Sequence, residues 1–125
     1  MYYHIWFVTK HHRPTLVGKI EKMTKGAFLE VARNKKYTIL ETETNKDHVH
    51  LLVEAKDRKG LANMVRTLKC VSAKKVLEEI RSTPRLRTGN VRSFWARGYG
   101  RKIAHEPQIK GIRDYIRNQK RIPHT

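Results

Sequence analysis

The sequence predicts an α+β domain in which a small antiparallel sheet carries helices on one face, and three observations lead there. Short runs of β-branched and aromatic residues alternate with longer stretches whose apolar residues recur at helical spacing. Two of the strand-like runs are separated by a turn too short for anything but an antiparallel hairpin. The 125 residues hold no Ser-, Gly- or Pro-rich linker and no internal repeat, so residues 1–125 read as a single domain with a modest core.

The elements follow in order. Residues Tyr3 to Thr9 (YHIWFVT) alternate roughly and suit a first strand, which Pro14 and its neighbours then break. From Lys19, the residues Ile20, Met23, Ala27, Phe28 and Val31 trace a first helix that runs to Asn34 and the Lys35–Lys36 pair. Tyr37 to Thr44 gives a second strand, Asn45 and Lys46 a turn, and His48 to Glu54 a third strand. Leu61, Met64, Val65, Leu68, Val71, Val76 and Ile80 form one face of a long second helix, with Arg66, Lys69, Lys74 and Lys75 on its basic surface. Pro84 should stop it, because proline lacks an amide donor and restricts the residue before it. The polar RLRTGNVR reads as a mobile loop, and SFWARGYGRKIAHE holds a fourth strand or a small hairpin. A last helix starts near Pro107, with an apolar stripe of Ile109, Ile112 and Ile116. The order β-α-β-β-α-β-α is that of a ferredoxin-like sheet with one added helix. Helices packed on one face would leave the other free for nucleic acid or a partner subunit.

Charge narrows the function. Twenty-eight Lys and Arg against 11 Asp and Glu give +17, spread from Lys10 to Arg121 rather than gathered on one helix. That distribution favours nucleic acid over a membrane surface, with salt-dependent affinity. No apolar run approaches a membrane span and the N-terminus lacks a signal-peptide layout, so a cytoplasmic protein is expected. The lone Cys70 excludes an internal disulfide and a cysteine zinc cluster; it reads as a small helix side chain.

Two motifs carry chemistry. In DHVHLLVEA, alternate side chains of a strand share a face, so His48 and His50 are neighbours in space. Two imidazoles on a rigid strand can grip a divalent metal but need further ligands to complete an octahedral site; with seven histidines, a structural or phosphate-contacting pair is an equal alternative. In IRDYIRNQK, Tyr115 and Gln119 are four positions apart on one helical face beside the isoleucine stripe, which places them at the border of the core. Gly111, one turn earlier, would keep space beside the phenol clear. A tyrosine at a core border and a solvated glutamine are the ordinary structural readings of the same residues.

The ensemble YHIWFVTKHHRP, DHVHLLVE, LKCVSAKKVL, FWARGYG and YIRNQ, in that order over nearly the whole chain, resembles the small single-tyrosine HUH transposases of short bacterial insertion sequences, the IS-two-hundred group. The resemblance implies the ferredoxin-like sheet and a homodimer. It implies a divalent metal, Mg or Mn, held by His48, His50 and Gln119, with Tyr115 as the nucleophile. The implied substrate is single-stranded DNA with foldback hairpins, cut through a covalent 5′-phosphotyrosine and rejoined later. A phenol is a weak nucleophile at neutral pH, so it needs help losing its proton and a cation on the attacked phosphate. Lys69 and Ser72 match a Lys-x-x-Ser-like stretch of the family and are candidate DNA contacts, with a merely exposed helix face an equal alternative; Arg66 and Arg97 are further candidate contacts, and Trp95 and Tyr99 fall in the family's aromatic segment, where core packing is the better reading. Gly100, Arg101 and Lys102 depart from the family pattern and would shorten the fourth strand, and the short tail after Gln119 leaves little room for a swapped helix. Two rivals stay open: a non-catalytic binding module for single-stranded nucleic acid, and a metal-dependent nuclease that uses water.

Overall fold

The computed structural model describes residues 1–82 and 94–118. Its elements are β1 (Tyr2–Val8), α1 (Gly18–Lys35), β2 (Thr38–Thr44), β3 (His48–Glu54), α2 (Arg58–Ser82), β4 (Gly100–Ala104) and α3 (Glu106–Asn118). The strands form one antiparallel sheet in the order β2-β3-β1-β4, so each helical crossover skips a strand, as a ferredoxin-like topology requires. RLRTGNVR, the stop expected at Pro84, and Gln119 lie outside the described residues.

One face of the sheet builds the main core. Tyr3, Ile5 and Phe7 from β1 and Val49, Leu51 and Val53 from β3 are all buried and meet Ile20, Phe28 and Val31 of α1 and Leu61, Met64, Val65 and Leu68 of α2. Each such side chain contributes about 1.5–3 kcal/mol by leaving water. α1 ends where Lys36 adopts a left-handed conformation and returns its amide to the Ala32 carbonyl; β2 follows directly.

The fourth strand differs from the reading that gave it the whole aromatic segment. Phe94 and Trp95 are core residues, and Trp95 makes only an isolated bridge to Thr9. The strand proper begins at Gly100, so Gly100, Arg101 and Lys102 are themselves strand residues. Gly100 lies opposite Trp6, and a Cβ there would come within 2.0 Å of the indole, so only glycine lets the ring lie across the strand.

The second face is not left free. α3 packs on it, because its isoleucine stripe needs apolar surface: Ile116 is fully buried with Leu52 and Ala104, flanked by Ile109, Ile112, Tyr2 and Leu40. Glu41 on β2 pins the helix by accepting a hydrogen bond from Arg117 Nε at 2.8 Å, with Arg113 Nε at 3.6 Å.

Candidate active site

The alternation that sends Val49, Leu51 and Val53 into the main core turns His48 and His50 toward the face carrying α3. Their ring centroids lie 5.0 Å apart. The β1–β3 register sets Trp6 opposite His50 and His4 opposite Leu52, so His4 is the diagonal neighbour of His50. His4 Nε2 and His50 Nδ1 share a hydrogen bond of 3.1 Å. α3 then brings Tyr115 over this group, its ring 6.3 Å from both His4 and His50 and nearly perpendicular to His50. The phenol is 55% exposed, more open to solvent than a core-border position implies.

Electrostatics prepare the imidazoles as ligands. Burial, with smaller contributions from His48 and His4, lowers the His50 pKa to about 4, so the ring is neutral at pH 7. Burial and the Lys102 charge on the adjoining strand lower His4 in the same direction. His48 Nδ1 donates to Asp47 Oδ1 at 2.7 Å, and the hydrogen bond from His48 holds the Asp47 carboxyl below its ordinary value. Asn45 Nδ2 donates to His48 Nε2 at 3.3 Å, so that nitrogen is unprotonated and a cation there would take over the lone pair that Asn45 now engages. A carboxylate behind one imidazole and neutrality of the other are what a divalent cation demands. Among the described residues, no group of three or more His, Cys, Asp or Glu is arranged for a metal. The histidine pair thus fits a metal as a partial set that needs oxygen ligands from elsewhere.

The other candidate residues are placed differently. Ser72 is fully buried: its hydroxyl donates to the Leu68 carbonyl at 2.6 Å and accepts from Trp95 Nε1 at 2.9 Å. The expectation that it touches DNA is therefore corrected; it fastens α2 to the Trp95 segment. Lys69 donates to the Ala96 and Gly98 carbonyls at 2.8 and 2.9 Å, and burial lowers its pKa. It too is a clamp. Arg66 is exposed on α2, the layer on the far side of the sheet from the imidazoles, and Arg97 is exposed between the two clamped carbonyls. Gly111 clears nothing, since a Cβ there would have no neighbour within 4 Å. Cys70 is exposed on α2.

Sequence reasoning missed His4 and Lys102. The signal was available in YHIW: once Tyr3, Ile5 and Phe7 are assigned to the core, His4 and Trp6 must share the opposite face. Lys102 follows only from the register, which pairs it with His4.

Comparison with known proteins bears on this arrangement. A family model described as IS200-like transposase matches residues 1–119. The transposase for insertion sequence element IS200 of Salmonella typhimurium is 29% identical over 117 residues, covering 94% of this chain and 75% of its own. The ISDra2 transposase TnpA of Deinococcus radiodurans is 28% identical over 74 residues, 59% of this chain and 53% of its own. Among solved structures, a candidate transposase from Deinococcus radiodurans R1 superposes with a TM-score of 0.69 at 24% identity, covering 95% of this chain and 90% of the other. A REP-associated tyrosine transposase bound to a REP hairpin superposes with a TM-score of 0.65 at 14% identity, over 94% and 64% of the two chains. These two share the fold. With the family model covering nearly all of it, the chain belongs to the IS200-like transposases.

Proposed function

We propose that the protein is a metal-dependent, single-strand-specific DNA nicking and rejoining enzyme that works through a covalent 5′-phosphotyrosine on Tyr115. The observation that carries this reading is an exposed phenol set beside His50, a half-buried ring that is neutral at pH 7 and neighbours His48, on a strongly basic chain. No buried apolar anchor requires a tyrosine there, since Ile116 beside it performs the packing.

Tyr115 Oη attacks the phosphorus of a phosphodiester, the bond from phosphorus to the 3′ oxygen breaks, and the departing oxygen takes up a proton as a free 3′-hydroxyl. The fragment on the 3′ side of the cut stays on the tyrosine through its 5′ phosphate. Reversal by another strand's 3′-hydroxyl releases the phenol and needs no external energy source, because one phosphodiester is exchanged for another. His48, His50 and Gln119 would hold Mg or Mn, which supplies positive charge to the attacked phosphate. Asp47 holds the His48 ring in the tautomer that offers Nε2. Lys102 and the arginines of α3 supply fixed positive charge where a DNA backbone would run. The Glu41 anchor keeps the tyrosine helix seated on the sheet. The enzyme acts as a cytoplasmic homodimer on element ends folded into hairpins; the hairpin held by the REP-associated neighbour supports this choice of substrate. No helix among the described residues is long and apolar enough to cross a membrane.

The test is a denaturing gel of protein incubated with Mg or Mn and 3′-labelled single-stranded hairpin DNA. A retarded, label-bearing protein band is expected, abolished by chelation and by Tyr115→Phe. Cleavage without a protein-linked product would point instead to water as the nucleophile, and tight binding with neither product to a binding module.

A further inference from the structure

We propose that His4 is a positioning residue for the metal site: it accepts the Nδ1 proton of His50 and so fixes the tautomer in which His50 Nε2 is free to bind a cation. This deepens the reading above and rests on His50 being a ligand. The geometry leaves two ways to share the 3.1 Å bond between His4 Nε2 and His50 Nδ1. If His4 donates, the neutral His50 must carry its proton on Nε2, and neither of its nitrogens can bind a metal. If His50 donates, Nε2 keeps its lone pair and points a ligand outward. Only the second arrangement is compatible with a metal-binding His50.

The two imidazoles of the pair are thus prepared by different means. His48 gives its Nδ1 proton to the Asp47 carboxylate, an acceptor that cannot reverse the bond. His50 gives its proton to a neutral ring, which could reverse it but places no negative charge beside the phosphate to be attacked. His4 is held for this task by the Trp6 ring at 5.3 Å and by Tyr115 at 6.3 Å, so one residue touches both a ligand and the nucleophile. Lys102 stands opposite it on β4.

Two readouts independent of cleavage test this. Long-range proton–nitrogen spectra of metal-free protein labelled with 15N-histidine report the tautomer of each ring, and titration with Mn, followed by loss of the free-ion EPR signal, reports affinity. The expected result is His50 in the Nδ1–H form in the wild type. His4→Phe keeps the aromatic packing but removes the acceptor; it should weaken Mn binding roughly 10- to 100-fold. His4→Gln, whose side-chain oxygen can accept the same proton, should restore most of the loss. A wild-type His50 in the Nε2–H form overturns the proposal without need of any variant. Wild-type Mn affinity in His4→Phe, with His48→Ala weakened, overturns the role of His4 alone. Equal binding by wild type and His48→Ala removes the ligand reading itself, and this one with it.

Discussion

The two faces of the sheet are made by the same strands and obey different rules. On the α1/α2 face, Tyr3, Ile5, Phe7, Val49, Leu51 and Val53 are buried among apolar neighbours, and their identities answer to volume. On the α3 face, one residue over along each strand, stand His4, His48 and His50, half-buried and hydrogen-bonded, with Trp6 beside them, beneath a helix whose own buried contact is small. A period-2 strand lets a protein place a site one residue from its core, so that the core fixes the site's geometry without sharing its chemistry.

The largest effect that would break this contrast is an exchange of phenotypes between adjacent residues. Leu51→Ala should cost about 2–5 kcal/mol of stability, read by denaturant titration. The double change His48→Ala with His50→Ala should abolish the DNA adduct while costing less stability than Leu51→Ala. Equal losses of stability from both would mean that the imidazoles are core residues.

Gly100→Ala comes next. The new methyl would collide with the Trp6 indole, and the expected cost is about 1–3 kcal/mol. Combining it with Trp6→Leu should recover most of that, and additive losses would show that the contact is not the cause.

A smaller effect separates the faces by pH. His50 is lowered from 6.5 to about 4, so between those values the unfolded chain binds a proton that the folded chain refuses. Stability from this group is full above pH 6.5, falls as the pH drops toward 4, and changes no further below that; His4 acts in the same direction. Asp47 has the opposite chemistry, and its share is lost only as the pH falls below the ordinary carboxylate range. Thermal midpoints measured from pH 7 to 4 should therefore decline less steeply in His50→Gln than in the wild type.

Glu41→Gln is the mildest change. The ion pairs with Arg113 and Arg117 are largely at the surface on the arginine side, so stability should fall by no more than about 1 kcal/mol. Adduct formation should slow through kcat rather than KM, since the tyrosine helix loses its anchor while the DNA-binding charges remain.

Sequence and structure meet most closely where periodicity is strong. β3 spans the predicted His48 to Glu54, and both long helices agree to within a few residues because each buries a continuous apolar stripe. The pairing of His48 with His50 was readable for the same reason. What periodicity cannot supply is register. His4 and Lys102 are separated from the histidine motif by tens of residues and enter the site only because β1 lies between β3 and β4. The burial of Ser72 and the clamp made by Lys69 escaped the sequence for a related cause: a polar side chain on a basic helix looks solvated until Trp95 and the carbonyls of Ala96 and Gly98 fold back onto it. The free second face was likewise a prediction from two helices, and the third helix occupied it because its isoleucines had nowhere else to go.

The most direct measurement of the tyrosine chemistry is mass spectrometry of the trapped protein–DNA product after nuclease and trypsin digestion. Trypsin should release the peptide Asp114–Arg117, and the expected result is a nucleotide 5′-phosphate on its tyrosine, present only with Mg or Mn and absent when the histidine pair is replaced. An unmodified Asp114–Arg117 peptide accompanied by cleaved DNA would contradict Tyr115 as the nucleophile.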